Sequence, residues 1–130
     1  MAEAQKTVIV AEPDVLVRMV VSEYLRDCGY KVIEATTAHD VRTILHARHP
    51  VDILLSEVSL GGETDGFSLA AGIRQTHPAV DVILTSGIAG AAAESHELCE
   101  QGSIKKPYQP KDVEARIRIL LERRRASNKP

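Results

Sequence analysis

The chain has 130 residues, 44% of them hydrophobic and 26% charged, which suits one compact domain and leaves no material for a second core. A formal charge of -2 offers no electrostatic footprint for nucleic acid, and the one basic cluster, Arg123-Arg124-Arg125, is small. No apolar run approaches a membrane span, Met1 to Lys6 lacks the apolar core of a signal peptide, and Cys28 and Cys99 belong to no CxxC pair. The expectation is a soluble, cytoplasmic protein with packed or half-buried thiols and neither a nucleic-acid nor a membrane partner.

A strand-like apolar run followed by a helix-like amphipathic stretch recurs five times along the chain. Thr7 to Ala11 reads as strand one and stops at Glu12. Asp14 to Asp27 reads as helix one, with Val15, Leu16, Met19, Val20 and Tyr24 at three- and four-residue spacing on one apolar face and Gly29 as its stop. Lys31 to Ala35 is strand two; Thr37 to Arg48 is helix two, with Val41, Ile44 and Leu45 inward and Pro50 marking its end. Strand three runs from Val51 to Glu57, so a second apolar run ends at a carboxylate. Ser59 to Gly66 has loop composition before helix three at Phe67 to Gln75. Strand four is Val80 to Thr85, ended by Ser86-Gly87, and alanine-rich Gly90 to Glu100 is helix four, with few large apolar residues to anchor it. Ser103 to Lys105 is a weak strand five, and Pro110 to Arg125 is helix five, with Val113, Ile117, Leu120 and Leu121 inward.

Strands apolar at consecutive positions need cover on both faces, which alternating helices supply through right-handed crossovers. The predicted architecture is therefore an α/β three-layer (βα)5 sandwich, a single domain over 1–130 with its core at 7–121 and a polar tail at 122–130. Glu12 and Glu57 then meet at the carboxyl edge of the sheet, where open α/β sheets keep their chemistry.

Four motifs stand in register with this pattern: VIVAEPDVLVRM, VDILLSEVSLGGETDGFSLA, DVILTSG and SIKKPY. In that order and spacing they resemble the receiver domains of bacterial two-component response regulators, from Thr7 to about Leu121. The resemblance implies the flavodoxin-like strand order 2-1-3-4-5. It also implies a phosphoacceptor Asp at the end of strand three, two acids after strand one that help hold Mg²⁺, and a hydroxyl residue after strand four. A lysine followed by a cis proline completes the implied pocket.

Carried over residue by residue, the acceptor position holds Glu57 and the first acid is Glu12, but the second acid falls on Pro13, with Asp14 one place further on. Mg²⁺ is usually held by one or two carboxylates plus waters, so Glu12 and Asp14 are expected to bind it weakly or not at all, and no cofactor is required. The extra methylene of Glu57 pushes its carboxylate outward by about 1.5 Å, one C–C bond. Misplacement of an attacking group on this scale costs on the order of 10²-fold in rate, which argues against phosphorylation at Glu57. Glu57 is then either a partial imitation of the phosphorylated state, with one negative charge against about two for phosphate, or an eroded site solvated or paired with Lys106. Lys106 and Pro107 match the lysine and cis proline. Ser86, with Thr85 as second choice, matches the hydroxyl position. The aromatic switch position holds Ser103.

The remaining constellations have plainer readings. His46 and His49 lie at i, i+3 on helix two with nothing to complete a metal set. Asp65-Gly66 reads as helix-start turn chemistry, and Arg123 to Arg125 complement a helix dipole. The resulting expectation is a non-enzymatic, stand-alone atypical receiver that works by protein contact. Its surface would be helix four, strand five and helix five, and its partner a histidine kinase, phosphotransfer or output protein. Two alternatives stand beside it: a phosphorylatable receiver using another carboxylate such as Asp52 or Asp14, and a constitutive scaffold subunit, homodimeric or heterodimeric, of a signalling complex.

Overall fold

The computed structural model describes residues 5–60, 65–86 and 104–127. Five strands, β1 (Thr7–Ala11), β2 (Lys31–Ala35), β3 (Ile53–Glu57), β4 (Asp81–Ser86) and β5 (Ile104–Lys105), form one parallel sheet in the order β2-β1-β3-β4-β5. The helices are α1 (Val15–Asp27), α2 (Ala38–His46), α3 (Gly66–Thr76) and the C-terminal helix α4 (Pro110–Ser127). The flavodoxin-like order and the three layers are those expected from the sequence. The helix expected over Gly90 to Glu100, together with Cys99 and Ser103, lies outside the described residues.

β1 and β3 are buried at every position, and alternation sends their side chains into two different cores. Val8, Val10, Ile53, Leu55 and Ile83 pack against Val21 and Leu25 of α1 and Val113 and Ile117 of α4. Ile9, Ala11 and Leu54 pack against Val41 and Leu45 of α2 and Leu69 and Ile73 of α3. Each fully buried aliphatic side chain is worth about 1.5–3 kcal/mol, so the two central strands dominate the drive to fold.

α1 is framed by local chemistry. Asp14 is its N-cap, its Oδ1 accepting from the backbone N–H groups of Leu16 and Val17 at 3.0 and 3.1 Å. At the other end Gly29, at φ 100°, allows the Gly29 and Tyr30 N–H groups to return to the carbonyls of Arg26 and Leu25. The apolar face picked out in the sequence turns outward, however: Val15 is 60% exposed, Leu16 70%, Met19 47% and Val20 57%. The buried residues of α1 are Val21, Ser22 and Leu25, on the opposite side of the helix. The first half of α1 is apolar nearly all round, so periodicity alone left two candidate faces. Cys28, expected to be packed or half-buried, is exposed where the chain leaves this helix.

α2 opens on a capping box between Thr37 and Asp40 and ends two residues earlier than expected, at His46. Arg48 lies just past the end at φ 60°, a left-handed conformation that costs an L side chain roughly 1 kcal/mol. Arg48→Gly should therefore raise stability by about 0.5–1 kcal/mol, read as a higher urea midpoint at unchanged slope.

α4 continues to Ser127, so residues 122–127 are helix rather than a tail. The reason is Arg124, for which the sequence suggested only a helix-dipole role. Its guanidinium donates to the carbonyl of Asp52 at 3.3 Å and to that of Ala79, and lies 3.7 Å from the Asp52 carboxylate and 3.5 Å from that of Asp81. It thus ties the end of the helix to the amino edge of β3 and β4. The carboxylates are partly exposed, so Arg124→Ala should cost about 1 kcal/mol, with a deficit that shrinks in high salt. Among the described residues no helix is long and apolar enough to cross a membrane.

Candidate carboxylate–lysine site

The pairing of β1 with β3 sets Val10 beside Leu55 and Ala11 beside Ser56, so Glu12 and Glu57 come next to each other at the carboxyl edge. Alternation assigns their face. Val8 and Val10 lead to Glu12, Ile53 and Leu55 lead to Glu57, and Ile83 leads to Thr85, all on the side covered by α1 and α4. Lys106, just past β5, donates a backbone N–H to the Ser86 carbonyl at 3.0 Å, which brings its side chain to the same edge.

Three charged groups close the site. The Lys106 ammonium lies 2.9 Å from Glu57 Oε2 and also contacts Glu12 Oε1. Thr85 Oγ1 donates to Glu57 Oε2 at 3.0 Å, the Ser59 N–H donates to Glu57 Oε1 at 3.3 Å, and the Asp14 N–H donates to Glu12 Oε2 at 3.0 Å. All four carboxylate oxygens therefore have partners within the protein. Glu12 and Glu57 are buried, and the lysine between them keeps partial access to solvent. Desolvation alone would lower the Lys106 pKa, but the hydrogen bonds and charges of Glu12 and Glu57 outweigh it and hold the ammonium above its ordinary value. Tyr108 is pushed up to about 12, first by burial, then by the Glu12 charge, with Lys106 acting in the opposite direction.

The structure sorts the residues singled out in the sequence. Glu12, Glu57, Lys106 and Pro107 come together, and the Lys106–Pro107 peptide is cis. Asp14 does not join them, because its carboxylate caps α1. The hydroxyl bonded to Glu57 is that of Thr85, not Ser86: register sets Thr85 opposite Glu57, and alternation turns the Ser86 side chain to the other face. Asp52 is at the amino edge, accepting from the Thr7 N–H at 2.9 Å and facing Arg124, far from the carboxyl-edge pocket.

Two contributors had no clear sequence signal. Arg18 of α1 donates to the Glu12 carbonyl at 2.7 Å and to Glu34 at 3.2 Å, fixing the turn that presents Glu12. Gly66 begins α3 so close to β3 that an added Cβ would lie 2.6 Å from the Glu57 carbonyl oxygen and 2.9 Å from Val58 Cα. The Asp65-Gly66 pair is therefore more than turn chemistry. Asp65 caps α3 through the Ser68 N–H at 2.8 Å, and Gly66 lets that helix approach the strand that carries Glu57.

An Mg²⁺ ion, which the family resemblance implies, fits this donor set poorly. Position 13 supplies no oxygen side chain, Asp14 is committed to a helix cap, and both remaining carboxylates are satisfied by Lys106 and by N–H or O–H donors.

A parallel sheet of this order, with an acidic pair, a hydroxyl and a cis Lys-Pro gathered at its carboxyl edge, defines a signalling receiver domain. The chain belongs to the response regulator receiver domain family, whose model matches residues 8–118. It is 28% identical over 120 residues to "Probable transcriptional regulator ycf27" of Cyanophora paradoxa, covering 92% of this chain and 49% of the relative. It is also 31% identical over 120 residues to "Sensor kinase CckA" of Brucella abortus, covering 90% of this chain and 13% of that protein. The chain thus spans about half the length of the ycf27 regulator. In fold it is similar to a CheY-like response regulator receiver domain protein from Methanospirillum hungatei, with a TM-score of 0.86 at 20% identity over 96% of this chain and 100% of the other.

Proposed function

We propose that this chain is an atypical response regulator receiver that signals by protein contact without accepting a phosphoryl group at Glu57. The observation that carries this reading is the closed Glu12–Lys106–Glu57 arrangement. A carboxylate already bound by an ammonium, a hydroxyl and an N–H is neither free nor aligned to attack a phosphoryl donor. Lys106 and Thr85 match the residues that the family resemblance assigns to the phosphoryl group, so Glu57 acts as a fixed negative charge that gathers both. It does so with one charge and two oxygens, a partial equivalent of phosphate.

Contact with a partner is supported by the outward face of α1. Val15, Leu16, Met19 and Val20 form an apolar patch of a kind rarely left bare without use. It continues into a groove of about 470 Å³ between α1 and the β5–α4 connection, lined in part by Leu16, Val20, Pro107 and Tyr108 and reaching Lys106. Such a groove suits an amphipathic helix of a signalling protein, whose docking would then sense the state of the carboxylate site beside it.

A pull-down from native lysate with wild type, Glu57→Asp, Glu57→Gln and Leu16→Asp tests this. A partner held by wild type should be lost with Leu16→Asp, because the patch gains a charge, and weakened at least tenfold by Glu57→Gln. Equal retention by all four proteins contradicts the reading.

A further inference from the structure

Building on that reading, we infer that the Lys106 ammonium is the resident cation of this pocket and occupies the place between Glu12 and Glu57 that a divalent metal takes in a metal-dependent receiver. The inference rests on the disagreement between the metal the family implies and the donors this chain presents. Three features of the chain converge on it. Proline at position 13 removes one acid, so the pocket holds two carboxylates rather than three. The N-cap role of Asp14 keeps the nearest spare carboxylate out. The longer reach of Glu57 brings its Oε2 within 2.9 Å of an ammonium that also contacts Glu12.

One lysine between two carboxylates leaves a net charge of -1, far less attractive to a divalent cation than an open acidic pair. Binding a metal here would require breaking two charge-assisted contacts and turning Lys106 out to solvent. It follows that removing the ammonium, rather than adding an acid, is what opens the pocket to metal.

Mn²⁺, followed by the loss of its free-ion EPR signal, is a direct probe on the full chain. Wild type should leave the signal at its free intensity through the low-millimolar range. Lys106→Met should bind one Mn²⁺ at least tenfold more tightly than wild type, and Lys106→Met/Glu57→Gln should lose that gain. Wild type binding as tightly as Lys106→Met, or a folded Lys106→Met with no gain, overturns the inference. A second measurement is independent of the variant's folding. Titrating Mn²⁺ into ¹⁵N-labelled wild type should leave the amide signals of Glu12, Glu57 and Thr85 unbroadened, and selective broadening there would overturn it. Neither outcome alters the phosphoryl-transfer and partner tests, so failure of this inference is distinguishable from failure of the functional reading on which it rests.

Discussion

Lys106→Met should lower stability at pH 7 by about 3 kcal/mol, the largest loss expected from any single exposed or half-exposed position. The methylene stem survives the change, so the loss reports the missing charge: Glu12 and Glu57 stay buried side by side with nothing between them. Two signatures separate this from a packing defect. The deficit should shrink as pH falls toward the ordinary glutamate value near about 4.3, because protonating one carboxylate relieves the repulsion. Glu57→Gln in the same background should also recover a large part of it, a coupling that a double-mutant cycle measures.

In wild type the opposite end of the pH scale is informative. Lys106 and Tyr108 both have folded-state values raised above their ordinary 10.5 and 10.0. Their contribution is complete below those values and is lost as pH rises through the raised ones. Urea midpoints should be flat with respect to these two groups through neutral pH and fall from about pH 10 upward, and Lys106→Met should flatten that decline.

Gly66→Ala should cost about 1–3 kcal/mol although it adds a single methyl group to a helix. Its new Cβ would meet the Glu57 carbonyl oxygen at 2.6 Å and Val58 Cα at 2.9 Å, and because both are backbone atoms no rotamer change relieves the overlap. α3 must withdraw from β3, and the Gly66 N–H to Val58 carbonyl bond, 2.8 Å in wild type, lengthens with it. Gly72→Ala in the same helix is the matched control. Nothing lies within 4 Å of a Cβ at that position, so it should stabilise by about 0.5–1 kcal/mol through helix propensity. Thermal melts that give opposite signs for the two substitutions support the account; a neutral Gly66→Ala contradicts the close approach.

How much of this was legible beforehand depended on whether the information was local. The five strands, their order and the meeting of Glu12 with Glu57 followed from apolar runs that stop at acids and from a motif series in register. The hydroxyl partner of Glu57 did not. Choosing Thr85 over Ser86 requires the β3–β4 register, which pairs Glu57 with Thr85, and a one-residue slip exchanges the two faces. The outward face of α1 was misleading because Val15, Leu16, Met19 and Val20 make as good an apolar stripe as the face around Val21 and Leu25 that packs on the sheet. Arg124 and Gly66 were undervalued because each acts through a contact distant in sequence, with Asp52 and Asp81 in one case and with the end of β3 in the other. The Asp14 carboxylate looked available for metal until its neighbours Leu16 and Val17 were seen to claim it.

The central claim is that Glu57, held by Lys106 and Thr85, does not take up phosphate. Intact mass after incubation of the full chain with acetyl phosphate and Mg²⁺ tests it most directly. The account predicts an unchanged mass for wild type. A stable gain of one phosphoryl group, lost in Glu57→Gln, would contradict it.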